Sequence, residues 1–226
     1  MTNKSLKRTR IINYFINAAT SIIQEEGISG ITIRKVADKT GYNSATLYNY
    51  FENLDQLVFL AALKCMEPYT SSLHEQIQSV SNALEKNLKV WELFCLHSFK
   101  NPEIYEAIFF AHFNKESNSE YLSEYYSFYS SNGANGDATL SDMLSHQNIY
   151  ERNHIILQEC ATEGFFRSED LNAIDEMSIF LYKGMLSKAL LNNNNFSPEE
   201  YTKITMNYIR HCYKSFLLPE KVSYLK

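Results

Sequence analysis

Glycine and proline are scarce in this chain, seven and four among 226 residues. A sandwich or barrel of many short strands needs more turn residues than that, and the apolar residues recur instead at three-and-four spacing, which predicts helices. Cysteine is scarce too. Cys65, Cys95, Cys160 and Cys212 lie far apart, with no paired spacing that could hold zinc or make a redox couple, and no secretory leader precedes them. They read as reduced core residues of a cytoplasmic protein. No run of about 18 uninterrupted apolar residues exists, so no membrane span is expected.

Chemistry-bearing motifs are equally thin. There is no glycine-rich phosphate loop, and no serine or cysteine stands in a nucleophile motif. A ferritin-like metal bundle would need Glu-x-x-His on two helices, and only Glu151 with His154 supplies such a pair. The sequence therefore predicts no metal, no cofactor and no catalytic residue: an all-α protein that is not an enzyme.

Positive charge is in short supply overall, with a net charge of -5, but its distribution is uneven. Residues 1–55 hold seven Lys or Arg (Lys4, Lys7, Arg8, Arg10, Arg34, Lys35, Lys39) against five acids, whereas the remainder holds 14 against 21. Any contact with phosphates must come from the N-terminal end.

That end carries the most specific pattern. From residue 8 to 26 an inward stripe of Ile11, Ile12, Phe15, Ile16, Ala19, Ile22 and Ile23 predicts a helix that Gly27 stops. Thr32 caps a short second helix with Ile33, Val36 and Ala37 inward, and Gly41 ends it. Asn43 caps a third, Ser44 to Phe51, with Leu47 and Phe51 inward and small polar side chains outward. Two short helices around a glycine turn make a helix-turn-helix, and small residues at the start of the second allow close approach to base edges. Asn53 to Gln56 reads as a capping box opening a fourth helix.

The run from Ile31 to Phe51, followed by Glu52-Asn-Leu-Asp-Gln-Leu57, resembles the DNA-binding domain of TetR/AcrR-type transcriptional regulators. Thr46-Leu-Tyr-Asn-Tyr-Phe51, at its distance from Val36-Ala37 and Gly41, is the strongest part. The resemblance implies an N-terminal three-helix helix-turn-helix domain, 1–55, followed by a larger helical ligand-binding and dimerisation domain, 56–226. It also implies that Thr32, Tyr48 and Tyr50 bind DNA phosphates, and that Arg34, Ser44, Ala45, Thr46 and Asn49 lie where bases or sugars come close, with Asn43 a further candidate DNA-binding residue. Arg34 has the planar fork that reads guanine. Two positions depart from the family pattern: Leu54 stands where a lysine is common, and Asn43 replaces a serine. The first should weaken phosphate binding and flatten its salt dependence.

Farther on, Asn101-Pro102 opens a helix containing Ile104, Ile108, Phe109 and Phe113, Ser130 to Asp137 reads as a loop, and roughly 140–163 reads as one helix ended by Gly164. The last two helices are sharply marked: about 171–192, with Ile174, Met177, Leu181 and Met185 on one stripe, and one opened by Ser197-Pro198 with Tyr201, Ile204, Tyr208, Cys212 and Phe216 inward. The resemblance implies that these helices pair with their copies in a homodimer, through Ile174, Met177, Leu181, Met185, Ile204, Tyr208 and Cys212. A two-fold dimer is also what reading two half-sites of an operator requires.

The middle of the chain is rich in aromatic residues, and in the family this region encloses a small-molecule pocket. Trp91, Phe94, Phe109, Phe113, Tyr126, Tyr150 and His154 are the candidate lining residues, with His97 and His112 as further polar groups. Function follows from the resemblance: a repressor released from a palindromic double-stranded DNA operator by an unidentified apolar or aromatic effector. The alternative is a helical adaptor that keeps the domain and binds a protein instead.

Overall fold

The computed structural model describes residues 3–110, 137–191 and 197–225. Phe113, Tyr126 and His112 lie outside the described residues. What is described is helical, in two compact units: residues 3–67 with 103–110, and residues 68–102 with 137–191 and 197–225. No helix among the described residues is long and apolar enough to cross a membrane.

In the first unit, α1 (Asn3–Glu26) packs on α2 (Ile33–Thr40) and α4 (Leu54–Lys64). The stripe expected from the sequence is the buried one: Ile12, Phe15, Ile16, Ala19, Ile22 and Ile23 are in the core, with Ile11 half-buried. Leu57, Phe59, Ala61 and Ala62 of α4 are likewise sealed from solvent. Thr20 donates its hydroxyl to Ile16 O at 2.8 Å, so this buried polar group is satisfied. Phe15 is the hub, with ring centroids of Tyr42, Tyr50 and Phe51 at 5.2, 5.8 and 6.1 Å.

Side-chain caps set the starts of the short helices. Thr32 accepts from Lys35 N, Asn43 from Thr46 N and Asn53 from Gln56 N. Each satisfies an amide that the helix itself leaves without a partner. Gly41 closes α2 with φ of +72°, a conformation a Cβ would strain. The third helix, α3, is shorter than the sequence predicts: it covers Ser44–Leu47, and Tyr48 to Tyr50 form a turn. The reason is local. Asn49 N and Tyr50 N bond three residues back, to Thr46 O and Leu47 O, so the backbone tightens out of the α-helical repeat before Phe51 turns inward.

The second unit is built on α6 (Ala83–Lys100), which follows α5 (Glu67–Gln76). In the first unit, α7 (Pro102–Phe109) opens at the expected proline. The span expected as one helix over 140–163 is two: α8 (Ala138–Ser145) and α9 (Ile149–Thr162). The break has a cause in two side chains. Asn148 caps α9 by accepting from Tyr150 N, and the Arg152 guanidinium donates to His146 O at 2.5 Å and Leu144 O at 3.4 Å. It thereby supplies donors to carbonyls that the end of α8 leaves open. Gly164 ends α9 as expected, with φ of +72°.

α10 (Leu171–Leu191) and α11 (Pro198–Lys214) complete the unit, and α11 lies along α6. Ser197 caps α11, accepting from Glu200 N, with proline in its first turn. Tyr182 of α10 is the centre of an aromatic cluster with Trp91, Phe94 and Phe99 of α6 at 5.7, 5.0 and 6.1 Å. One buried cation ties three segments together: Lys86 Nζ lies 2.6 Å from Asp137 and 2.9 Å from Glu159. All four cysteines are free thiols, with Cys95, Cys160 and Cys212 buried and Cys65 half-buried.

Candidate nucleic-acid interface and effector cavity

Leu47 and Phe51 are 1% and 4% exposed, and this anchoring turns the rest of their segment outward. Ser44, Ala45, Tyr48 and Asn49 are exposed, Tyr48 at 57% despite its size. Arg34 on α2 is likewise on the surface, its side chain 89% exposed and only loosely paired with Asp38 at 3.8 Å. Thr46 is half-buried, and its hydroxyl donates to Asn43 Oδ1 at 2.8 Å. Thr32 and Asn43 spend their side-chain oxygens on helix caps.

Not every cation of this unit faces outward unengaged. Lys35 is hydrogen-bonded to Glu26, and Lys39 to Glu25 at 2.7 Å, which fastens α2 to the end of α1. The bond from Lys39, with another from Ser21, holds the Glu25 carboxyl below its ordinary pKa. Arg8 reaches across from α1: it donates to Asn49 O at 3.2 Å and its guanidinium lies 5.2 Å from the Tyr50 ring centre. Tyr50 is thus held between Arg8 and Phe15, which fixes the exit of the exposed segment.

In the second unit a cavity of about 30 Å³ is lined by Tyr69, Val90, Trp91, Phe94, Met143, Ile149, Arg152, Asn153 and Ile156. Its walls are apolar with a few polar groups, the usual chemistry of a small-molecule site. Its present size accommodates about one water molecule, so a larger guest must displace side chains, for which Met143 is suited by its flexible thioether. Behind Asn153 lies a buried acid. Asn153 Nδ2 donates to Asp175 Oδ1 at 2.7 Å, and His154 Nδ1 is 3.4 Å from the other carboxylate oxygen.

Burial is the main reason that the Asp175 carboxyl is pushed up to about 6, against the opposing effects of Asn153 and His154. The folded state then binds a proton more tightly than the unfolded chain, whose aspartate titrates near about 4. The stability this lends is complete below pH of about 4 and is lost as pH rises through about 6. Asp175→Asn keeps the shape and cannot ionise. It is expected to be more stable than the natural protein by about 1 to 2 kcal/mol at pH 7.5, with the difference gone at pH 4, as urea denaturation at both pH values would measure.

Residues 15–61 match the family described as bacterial regulatory proteins, tetR family. The N-terminal helix-turn-helix region is thus similar to that of the tetR family. The HTH-type transcriptional regulator HbdR of Aromatoleum sp. (strain CIB) is 27% identical over 71 residues, 31% of this chain and 31% of HbdR, so the match spans about a third of that relative's length. Solved structures share the whole fold. RolR in complex with resorcinol aligns at a TM-score of 0.62, 14% identity, over 98% of this chain and 95% of RolR. A TetR transcription regulator from Haloarcula marismortui aligns at 0.58 and 14% identity over 93% and 100%. A regulator from Saccharomonospora viridis in complex with choline aligns at 0.57 and 13% identity over 93% and 99%. The family model and HbdR are described as transcriptional regulators.

The structure gathers part of each predicted residue set. Trp91 and Phe94 line the cavity. Phe109 does not: it belongs to the first unit, half-buried, with its ring 6.1 Å from Tyr105. Tyr150 is 37% exposed and His154 turns toward Asp175 and Gln158, because both fall off the inward face of α9. Glu151 pairs with His146 instead of sharing a site with His154. Of the residues assigned to a partner interface, Ile174, Met185 and Cys212 are buried in the chain's own core. The outward face of α10 and α11 holds Met177 and Tyr208 at 44% and 45% exposure, half-buried Leu181 and Ile204, and Phe180 at 61%, which the sequence stripe missed. The stripe drifted because α10 is apolar on two faces, and spacing alone mixes them.

Arg152 was the other omission. The inward positions of α9 run Ile149, Arg152, Asn153, Ile156, Leu157, so two polar residues fall where helical spacing demands apolar ones. That interruption was a visible signal of a polar group aimed inward. Arg8 had no such signal, since its partners lie 41 residues away.

Proposed function

We propose that this chain is a cytoplasmic, ligand-responsive transcriptional regulator that binds a palindromic double-stranded DNA operator as a homodimer and is released, as a repressor, by a small apolar or aromatic effector. The observation that carries the reading is the exposure of Arg34, Ser44, Ala45, Tyr48 and Asn49 together on a helix-turn-helix similar to that of the tetR family, whose Val36, Ala37, Leu47 and Phe51 are turned inward. Tyr48 and Tyr50 contact phosphates in this reading, and Arg34 and the start of α3 meet base edges, so phosphates position the domain and bases specify the site. Thr32, Asn43 and Thr46 act through the caps they hold.

Dimerisation is supported by the exposed Met177, Phe180 and Tyr208 on adjacent helices, since large apolar groups clustered on a surface mark interaction sites. Effector binding is supported by the apolar cavity, and an aromatic effector by its aromatic lining and by the resorcinol bound to RolR. Release follows if the effector binds one arrangement of the two reading heads better than the other.

Selection of bound sequences from random duplex DNA tests this. A palindrome with half-site centres about 34 to 36 Å apart is expected, with affinity that falls steeply with added salt. Absence of any sequence preference would leave the adaptor reading in its place.

A further inference from the structure

We infer that the DNA-binding surface extends onto α1: Lys7, Arg10, Tyr14 and Tyr42 form a track that binds backbone phosphates of a DNA duplex beside the groove that α3 enters. This rests on the reading of the first unit as a DNA-binding helix-turn-helix. From Asn3 to Gln24, α1 carries lysine and arginine and no acid. Its two acids, Glu25 and Glu26, stand at the far end, where Lys39 and Lys35 engage them. Lys7 and Arg10 are exposed, and neither is paired among the described residues. Tyr14 follows one turn after Arg10, so three- and four-residue spacing puts Lys7, Arg10 and Tyr14 along one side of the helix.

Contacts at both ends of α3 bring the N-terminal half of α1 against the exposed segment. At the entry, the Tyr14 and Tyr42 rings meet edge to face at 6.4 Å, and Tyr42 packs on Phe15 at 5.2 Å. At the exit, Arg8 donates to Asn49 O at 3.2 Å. This half of α1 therefore runs beside the outward residues Ser44, Ala45 and Asn49, and a duplex seated on them meets α1 next. Tyr14 and Tyr42 are 49% and 39% exposed although both are large and aromatic. Their rings pair with each other, and neither hydroxyl is hydrogen-bonded among the described residues. Phosphate oxygens accept from tyrosine hydroxyls as they do from lysine and arginine. Lys7 and Arg10 also supply positive charge in a domain where Leu54 offers none at the start of α4.

The affinity of the purified full chain is measured against salt concentration for the selected operator and for random-sequence duplex. Each phosphate contact contributes about 0.9 to the log-log slope. In Arg10→Gln the slope is expected to flatten by about 0.9, and affinity at about 0.1 M salt to fall about fivefold or more, alike on both duplexes. Lys7→Gln should behave likewise, and Arg10→Lys, which restores the charge, should keep the natural slope. Tyr14→Phe keeps the ring packing and is expected to bind about threefold more weakly with the slope unchanged, since the lost hydroxyl is neutral. Arg167→Gln removes an exposed cation of the second unit and is the control, expected to leave the slope unchanged. Ethylation of operator phosphates should interfere at one position fewer with Arg10→Gln than with the natural chain. The substituted positions are exposed, so thermal midpoints followed by circular dichroism should match the natural chain. The inference is overturned if folded Arg10→Gln or Lys7→Gln keeps the natural slope, if Arg167→Gln flattens it equally, or if ethylation interference is the same for Arg10→Gln. A natural chain that prefers no sequence, yet binds duplex with this dependence on Lys7 and Arg10, keeps the track and loses the regulator reading. A chain that binds no duplex at all overturns both.

Discussion

Truncating Phe15 to alanine is expected to abolish DNA binding while leaving the Trp91 emission spectrum of the second unit unchanged. Phe15 is fully buried and is the side chain on which Tyr42, Tyr50 and Phe51 converge. A Phe→Ala change in a core costs about 3 to 5 kcal/mol, through lost transfer energy and the cavity left behind. The first unit is small, and a domain of its size has a total stability of about the same order. Loss of this hub should therefore unfold the helix-turn-helix instead of merely loosening it. Trp91 lies in the other unit and reports on that core alone. Far-ultraviolet circular dichroism with tryptophan emission during a thermal scan would show a helical transition at reduced temperature before the emission change. A single transition shared by both signals, shifted equally, would show that the two units unfold together.

Replacing Lys86 by methionine is expected to destabilise the second unit by about 2 to 3 kcal/mol, a value reduced from the full cost of breaking a buried pair because water reaches both partners. Lys86 is 7% exposed, while Asp137 and Glu159 are 29% and 31% exposed. Methionine fills the same space but leaves two carboxylates facing each other without the cation between them. Asp137 also caps α8, accepting from Leu140 N at 2.9 Å, so its displacement would loosen that helix as well. The double change Lys86→Met with Glu159→Gln should recover part of the loss, since it removes one of the two stranded charges. Urea denaturation followed by Trp91 emission measures both. An unchanged midpoint in the single variant would mean that the triad contributes nothing net.

How far the sequence could be read depended on how local the determining interactions were. The first unit was legible almost residue by residue because α2, α3 and α4 are short and each begins with a side-chain cap three residues from its donor, and Gly27 and Gly41 mark two of the helix ends. The error there, extending α3 to Phe51, came from three-residue hydrogen bonds that no composition rule distinguishes from the start of a helix. In the second unit the failures were of longer range. The split between α8 and α9 depends on Arg152 reaching back six and eight residues to carbonyls. The inward and outward faces of α10 are both apolar, so Ile174 and Met177 look alike in sequence although one is sealed and the other 44% exposed. The cavity unites α5, α6, α8 and α9, and of its three aromatic residues Trp91 and Phe94 lie in the aromatic middle of the chain while Tyr69 comes from outside it.

The separation of roles within the helix-turn-helix bears on how such a protein changes its target. Thr32, Asn43 and Thr46 are committed to hydrogen bonds within the domain, whereas Ser44, Ala45 and Asn49 project side chains into solvent. In the proposed regulator, substitutions at the first set would register as weaker binding to every operator alike. Substitutions at the second cost the fold little, so in a lineage they can drift, one base preference at a time, while the scaffold that presents them stays intact.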